Sequence, residues 1–311
     1  MITVLAGGVG AARLLRGVLA VHPAEEVTAI VNTADDVELH GLHVSPDLDT
    51  VTYTLAGAIN PETGWGLVDE TWQAMETLRR YGGITWFNLG DRDLGTHLYR
   101  TQRLSEGTPL SEVTAEIVRG WDLGLTVLPV TDDRLRTMVT IDEQGDGDVT
   151  EIGFQEYFVQ RRHAVEVRSV RFDGADGALP GPGVLDALAG ADRVVIAPSN
   201  PIVSIGPLLA VPGVRDAVMA RRADTVAVSP IIAGAALKGP ADRLLRELGH
   251  ESSVVGVARL YRDLAATLVI DDADADLAPA VESEGMRCVV APTIMSGPDE
   301  AAALGRTVLT A

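Results

Sequence analysis

Short apolar runs alternate with segments of helical periodicity along most of the chain. Apolar runs of about four to eight residues are typical of buried strands, and apolar residues three or four positions apart are typical of helices. We predict strands at Ile2 to Leu5, Val27 to Val31, Ile84 to Leu89, Leu125 to Val130, Arg193 to Ile196, Val226 to Ser229, Val254 to Ala258, Thr267 to Ile270 and Arg287 to Val290. We predict helices at Glu70 to Tyr81, at Leu98 to Arg119 with a break near Gly107, and at Pro298 to Leu309. This alternation indicates the α/β class, with a mostly parallel sheet and helices on both of its faces.

The alternation is interrupted between residues 130 and 183. A predicted strand at Met138 to Ile141 is followed by an acidic turn at Asp142 to Asp148. A strand with such a turn is typical of a hairpin rather than of a strand–helix unit. We therefore predict a first core segment at 1–129, an inserted hairpin-rich subdomain at 130–183 and a second core segment at 184–311.

Three glycines separate the first predicted strand from the first helix. Gly7, Gly8 and Gly10 allow tight turns and close approach of an anion, and the helix that follows supplies free N–H groups and a partial positive charge. The spacing is not that of a complete dinucleotide fingerprint, and no Walker lysine follows. The turn therefore predicts a phosphate site, with a tight turn that binds nothing as the alternative.

Four aspartates follow the second predicted strand within a short distance. Asp35 and Asp36 come directly after it, and Asp47 and Asp49 lie in the next loop. Carboxylates beside a phosphate site are the ligands that Mg²⁺ uses. The alternative is that they are solvated loop acids and helix caps, with Asp49 capping the helix that follows it. We favour contact with a metal ion or substrate.

Two further loops carry polar side chains. Ser199, Asn200 and Ser204 follow a predicted strand and could present hydroxyl, amide and backbone N–H groups to a ligand, and Lys238 lies in a later loop of the same wall. The loop Gly90 to Thr96 is dense in charge, and its Arg92 could fork around a carboxylate or phosphate. The alternatives are a turn at Ser199 and Asn200, and a surface ion pair at Arg92. His97 could act as a base, but a hydrogen-bonded structural role is the more common one.

Composition narrows the classes of function. The 311-residue chain has 44 acidic and 25 basic residues, a formal net charge of -19, which argues against nucleic acid as a partner. Cys288 is its only cysteine, so neither a disulfide scaffold nor a cysteine-rich metal site is available within one chain. We see no apolar run of transmembrane length and no signal peptide, and we expect a cytoplasmic protein without membrane contact.

Five stretches together resemble one family of enzymes. They are GGVGAARLLRG, NTADDVELHGLHVSPDLDTVTYTLAG, WFNLGDRDLGTHLYR, APSNPIVSIGP and SPIIAGAALKGPA, between Gly7 and Ala241. They are similar to the transferases that build the phosphorus-containing side chain of the deazaflavin coenzyme F420. The resemblance implies a Rossmann-like homodimer that requires Mg²⁺. It implies transfer of a phosphoenolpyruvyl or phospho-L-lactyl group from a guanosine-diphosphate donor to the terminal hydroxyl of deazariboflavin Fo, with release of GMP.

The resemblance also assigns roles to residues of this chain. Asp35, Asp36, Asp47 and Asp49 would hold the metal, with Asp35 and Asp49 the catalytic pair. Asp49, Asp91, Arg92 and Thr96 would contact Fo, and Gly7, Gly8, Gly10, Ser199, Asn200 and Ser204 would surround the donor. Two alternatives stay open, a non-enzymatic nucleotide-sugar-binding regulator of the same fold and a nicotinamide-dependent oxidoreductase. The motifs at Ser45 to Thr50 and Leu89 to His97 favour the transferase, and the incomplete glycine fingerprint counts against the oxidoreductase.

Overall fold

The computed structural model describes residues 1–143, 145–237 and 239–311, so Gln144 and Lys238 lie outside the described residues. The strands are β1 (Ile2–Ala6), β2 (Val27–Val31), β3 (Val37–Leu39), β4 (Leu42–Val44), β5 (Thr126–Pro129), β6 (Arg136–Asp142), β7 (Val149–Gly153), β8 (Glu166–Asp173), β9 (Arg193–Ile196), β10 (Thr225–Val228), β11 (Ile231–Ile232), β12 (Ala235–Ala236), β13 (Thr267–Ile270) and β14 (Arg287–Val290). The helices are α1 (Gly8–Leu19), α2 (Pro46–Leu55), α3 (Gln73–Arg80), α4 (Asp93–Ser105), α5 (Leu110–Gly120), α6 (Val184–Ala189), α7 (Gly206–Ala210), α8 (Val214–Ala220), α9 (Ala241–Glu247), α10 (Val254–Tyr261), α11 (Ala278–Ser283) and α12 (Pro298–Thr310).

A seven-stranded sheet forms the centre of the described structure, in the order β14-β13-β10-β9-β1-β2-β5. Every neighbouring pair in it is parallel; Ile2, for example, is in register with Val27 on one side and Arg193 on the other. The chain builds outward from β1 through β2 to β5, and then returns to β9 on the other side of β1. The carboxyl ends of β1 and β9 therefore diverge at a topological switch point, where a crevice opens.

Helices cover both faces of this sheet. Successive strand residues point to opposite faces, so Val4 packs in one apolar cluster with α1 and α12, and Leu5 packs in another with α6, α8 and α10. Both residues are fully buried. The predicted α/β class, with a parallel sheet between two helical layers, is confirmed.

A smaller antiparallel sheet, β7-β6-β8, lies between β5 and α6 and falls within the predicted insertion at 130–183. Its apolar side packs around Val139 and Tyr157 and reaches Val203, in the loop after β9, and Leu244 of α9. This packing places the antiparallel sheet beside the carboxyl edge of the main sheet. The boundaries of the three parts stay a prediction.

Two strand predictions are wrong. Residues 84–89 form no strand; Leu89 is instead buried in a small cluster with Val44 and Met75, and Ile84 is exposed. The run Val254 to Ala258 lies in helix α10, where Ser253 caps the first turn by accepting the N–H of Gly256 at 3.1 Å. A short apolar run fits a buried strand and a buried helix equally well, and the cap decides for the helix.

Within the described residues, no single helix has the length and apolar character needed to cross a membrane. One bent pair of helical segments, Pro201–Ala210 and Val214–Ala220, is long and apolar enough by length and composition alone, with an angle of 98° between its two parts. Side chains of this pair, such as Leu208 and Val214, are buried in the core of the described structure.

Candidate active site

The carboxyl ends of β1 and β9 open into a cleft with a volume of about 460 Å³. Its walls include the turn after β1, the loop after β9 and the first turn of α2. The segment that follows β7 and the segment between α2 and α4 add aromatic side chains to the lining: Trp65, Phe87, Phe154 and Phe158. The cleft thus combines a polar floor of loops with apolar walls, as ligand sites in such sheets do.

The glycine turn after β1 is pressed against the loop after β9. Gly8 has a φ of 68°, in the left-handed region that favours glycine. A Cβ on Gly10 would lie 2.3 Å from the carbonyl oxygen of Pro198, and the Ser199 hydroxyl donates to the Gly7 carbonyl at 2.7 Å. Since α1 begins at Gly8, its first N–H groups lie in the cleft wall, where they attract anions.

Asp35 and Asp47 are buried carboxyl groups beside this turn, and both line the cleft. Asn32 donates from Nδ2 to Asp47 Oδ2 at 3.0 Å, and its own Oδ1 accepts from the Ala34 N–H at 2.9 Å. Burial, opposed by the hydrogen bond from Asn32, raises the pKa of Asp47 to about 7. Burial and the charge of Asp47 raise the pKa of Asp35 well above its usual range.

The neighbouring Asp36 is held through one of its oxygens. Ser45 donates from Oγ to Asp36 Oδ2 at 2.7 Å, and His43 Nε2 lies 2.9 Å from the same atom. Among the described residues, the buried oxygens Asp35 Oδ1 and Asp36 Oδ1 have no hydrogen-bond partner. Because an unpaired buried carboxylate oxygen is costly, these atoms are where a bound cation would be stabilised.

Asp49 belongs to a second buried network, which joins α2 to α4. Arg100, 1% exposed, donates from Nη1 to Asp49 Oδ2 at 3.1 Å and from Nη2 to Asp49 Oδ1. His97 lies between two acids, with Nδ1 3.7 Å from Asp49 Oδ2 and Nε2 3.3 Å from Asp93 Oδ2. Tyr53 donates its hydroxyl to Asp93 Oδ1 at 2.6 Å.

The two acids of this network respond differently to burial. Burial raises the pKa of Asp49, and the positive charge of Arg100 only partly offsets it. Burial also acts to raise the pKa of Asp93, but the hydrogen bonds to His97 and Tyr53 hold it below its ordinary value. Asp49 is thus the stronger base of the two, and it lines the cleft.

Two sets of side chains offer ligands to a metal ion. Ligand atoms of Asp49, Asp93 and His97 lie within 4.8 Å of one another, but Arg100 already neutralises Asp49. The predicted ligands near the glycine turn are Asp35, Asp36 and Asp47. In the described part of the chain, their ligand atoms form no such group of three. The four predicted metal ligands are therefore divided between a set beside the glycine turn and Asp49 in the Arg100 network.

Comparison with known proteins places the chain in a family. The sequence model of 2-phospho-L-lactate transferase CofD matches residues 2–293. The chain belongs to this transferase family. Three relatives named phosphoenolpyruvate transferase are similar along nearly their whole length. The Streptomyces griseus protein is 47% identical over 310 residues, covering 99% of this chain and 97% of the relative. The Kitasatospora aureofaciens protein is 48% identical over 312 residues (99% and 96%), and the Mycolicibacterium smegmatis protein 44% over 318 residues (99% and 97%).

A solved structure supports the fold of this transferase family member. The crystal structure of a UPF0052-family protein from Bacillus halodurans matches with a TM-score of 0.63 at 17% identity, covering 99% of this chain and 98% of that chain. At this identity the likeness concerns the fold alone. It agrees with the α/β architecture.

Two residues predicted to face the acceptor of the transferase form local contacts outside the cleft lining. Asp91 accepts hydrogen bonds from the Thr71 hydroxyl at 2.5 Å and from the N–H groups of Gln73 and Ala74 at 3.0 Å each. These contacts hold the pKa of Asp91 below its usual value and satisfy the start of α3. Arg92 donates to the carbonyl of Val68. Neither Asp91 nor Arg92 lines the cleft, and their contact with an acceptor stays a prediction.

The other predicted contacts lie at the cleft or directly behind it. Thr96 Oγ1 is 2.7 Å from the hydroxyl of Tyr53, and Tyr53 lines the cleft. Ser199, Asn200 and Ser204 are all part of the lining. Asn200 Oδ1 accepts the N–H of Ile202 at 2.9 Å, which leaves its amide NH₂ for a ligand. The structure therefore brings the predicted donor residues to one wall with the glycine turn.

Arg100 and Asn32 are site residues that the sequence analysis missed. Asp93, His97 and Arg100 are spaced four and three residues apart, which places them on one face of α4. From this spacing, Arg100 could have been predicted to lie beside Asp93 and His97. Asn32, which precedes Asp35 by three residues, carries no comparable signal, because its bond to Asp47 depends on how α2 packs.

Proposed function

We propose that the chain transfers a phosphoenolpyruvyl group from a guanosine-diphosphate donor to the terminal hydroxyl of Fo, giving dehydro-F420-0; a phospho-L-lactyl donor is the alternative. The hydroxyl oxygen forms a bond to the phosphorus that carries the enolpyruvyl group. The bond from this phosphorus to the bridging oxygen breaks, and GMP leaves with that oxygen. The hydroxyl proton passes to a carboxylate of the chain and then to solvent.

The observation that carries this proposal is the pair of buried acids, Asp35 and Asp47, beside the N-terminus of α1 in the cleft. Transfer of a phosphorus group needs positioning and neutralisation of charge more than covalent chemistry. The start of α1 supplies a site for donor phosphate, and the aromatic lining at Trp65 and Phe154 supplies a surface for a tricyclic acceptor. The printed names of the relatives favour the enolpyruvyl donor.

The acids beside the glycine turn have the ligand chemistry of a magnesium site, and substrate phosphate would have to supply further ligands, because these side chains do not converge on one point by themselves. Asp35 and Asp36 each have a buried oxygen without a partner among the described residues, and Asp47 adds a third carboxylate. Mg²⁺ prefers such oxygens together with substrate phosphates. When bound there, it would neutralise charge on the diphosphate and on the leaving GMP.

We assign the acceptance of the hydroxyl proton to Asp49. Arg100 fixes its orientation through both carboxylate oxygens, and burial raises its pKa, which makes it a stronger base than an exposed aspartate. Asp35 then serves the metal and the donor. Tyr53 and His97 hold Asp93 on the other side of the network.

The test offers Fo and both donors in competition to the purified chain with Mg²⁺ and identifies the product by mass. We expect dehydro-F420-0 and one GMP for each Fo consumed, and little product from Asp49→Asn. Asp224→Asn, which changes a partly exposed acid before β10 and outside the cleft lining, is the matched control and should keep wild-type turnover. A product two hydrogens heavier would reverse the donor assignment. Nucleotide binding without Fo binding or product would favour the regulator.

A further inference from the structure

The cleft is strongly acidic for a site that binds a diphosphate. Its lining contains four carboxylates: Asp35, Asp47, Asp49 and Asp93. The cationic or ionisable basic side chains in the described lining are Arg13 and His97. His97 lies between Asp49 and Asp93, with a ring nitrogen within 4 Å of each carboxylate, so any charge it carries is balanced by these acids. Among the described residues of the lining, Arg13 is therefore the side chain whose positive charge no carboxylate balances.

Arg13 lies on α1, three residues after Gly10, and so on the same face of the helix as the glycine turn. Its guanidinium is half-buried and donates from Nη1 to the Met295 carbonyl at 3.4 Å. Within the described residues it forms no ion pair with a carboxylate, whereas Arg100, for example, is paired with Asp49. One long hydrogen bond orients the group and leaves most of its donors for a ligand.

The loop after β14 completes this end of the cleft. Thr293, Met295 and Ser296 line the cleft together with Arg13 and the start of α1. Thr293 is fixed by Asp271, which accepts from its N–H and its hydroxyl at 2.9 Å each. The Met295 carbonyl is thus part of an anchored loop and can hold the guanidinium beside the helix N-terminus.

We propose that Arg13 binds the diphosphate of the donor and keeps its contact with the phosphate of the departing GMP; this assignment rests on the proposed function. The planar guanidinium presents paired N–H groups that match two phosphate oxygens. It supplies positive charge to a lining that also contains Asp35 and Asp47. The α1 N–H groups, Arg13 and the acid cluster would then surround the diphosphate.

The test is calorimetric binding of guanosine, GMP, GDP and inorganic pyrophosphate to wild type, Arg13→Gln and Arg13→Lys at fixed Mg²⁺. Loss of a charge-assisted contact is expected to weaken GMP, GDP and pyrophosphate about 10- to 100-fold in Arg13→Gln. Guanosine, which has no phosphate, should bind unchanged within about twofold, and Arg13→Lys should recover part of the loss. The matched control is Arg16→Gln, one turn further along α1 and outside the cleft lining.

Each other outcome has a defined meaning. Unchanged GDP affinity in a folded Arg13→Gln, or an equal loss for guanosine and GDP, would overturn the assignment while leaving the transferase reaction in place. Pyrophosphate binding that depends on Arg13, without binding of any guanosine compound, would support Arg13 and refute the guanosine donor. If neither pyrophosphate nor GDP binds the wild type, both the Arg13 assignment and the guanosine-diphosphate donor are refuted. If Arg13→Gln unfolds, Arg13→Lys gives the answer, since it keeps the charge but loses the planar fork.

Discussion

Replacing Arg100 by methionine tests whether the buried network of α2 and α4 is organised as described. Arg100 is 1% exposed, and both of its described ion-pair contacts go to Asp49. Methionine has a similar length and fills most of the same volume, so the main loss is the charge. In Arg100→Met the carboxylate of Asp49 stays buried, with His97 at 3.7 Å and the like charge of Asp93 close by.

Removing one partner of a buried ion pair costs about 3–5 kcal/mol, because the other charge is left uncompensated. That is a large share of the roughly 5–15 kcal/mol that stabilises a typical domain. Replacing both partners by apolar residues of similar volume is often neutral. We therefore expect Arg100→Met and Asp49→Leu each to lose about 3–5 kcal/mol, and the double variant to lose much less than their sum.

The measurement is urea unfolding followed by circular dichroism, extrapolated to water at pH 4 and pH 8. In Arg100→Met the folded-state pKa of Asp49 rises further above its unfolded value. The loss of folding stability caused by the buried charge of Asp49 is therefore absent below about pH 4, where Asp49 is protonated in both the folded and the unfolded protein. This loss grows as pH rises towards the folded-state pKa. A loss under about 1 kcal/mol at pH 8, or a loss independent of pH, would refute the description of Asp49 as a buried ionised partner of Arg100.

Three further predictions concern the donor side of the cleft. The pKa of Asp47 rises from 3.8 to about 7, which corresponds to ~4 kcal/mol of stability present at pH 4 and lost as pH rises through 7. In thermal melts at pH 5 and 8, Asp47→Asn should remove most of this dependence of stability on pH. An unchanged pH dependence would contradict the shift. Mg²⁺ should raise the melting temperature of the wild type more than that of Asp47→Asn, and calorimetry in two buffers of different ionisation enthalpy should show proton release on binding; equal effects on both proteins would exclude Asp47 as a ligand. Gly10→Ala would place a Cβ 2.3 Å from the Pro198 carbonyl oxygen and should abolish turnover and lower stability. The control Gly95→Ala, whose Cβ would have no atom within 4 Å, should leave turnover unchanged and stabilise α4 by up to about 1 kcal/mol. Equal behaviour of the two variants would show that the glycine turn tolerates a shift.

The central sheet could be predicted because its signal is local. Each of the seven strands of the main sheet is a short, mostly apolar run, and a turn or helix follows it within a few residues. The two wrong strands show where local signals end. Val254 to Ala258 has the same apolar character as a strand, and the cap from Ser253 marks it as a helix. At Leu89 the apolar side chains serve a small separate cluster rather than the sheet.

The site was predictable to the extent that its residues follow strands in sequence. The glycine turn and Asp35 lie at strand ends, and sheet topology brings such ends together. The pairing of Asp49 with Arg100 spans 51 positions and depends on how α2 packs against α4, which no local pattern specifies. The contacts of Asp91 with α3 are of the same kind, because they depend on where the loop before α4 meets the start of another helix.

The two acid networks differ in how their charge is balanced, and this difference suggests a division of work. Asp49 has an internal cation, Arg100, so its ionised form and orientation are available before any ligand binds. Asp35 and Asp47 have none among the described residues, and burial together with the charges of neighbouring aspartates raises their pKa values. A protein would gain stability by replacing such acids with amides, unless their charge is balanced by something that enters the cleft. A divalent cation that enters together with a phosphate ligand would balance it. Under the proposed function, Asp49 is therefore positioned before any substrate binds, whereas the charge of Asp35 and Asp47 is balanced only once the metal and the donor are bound.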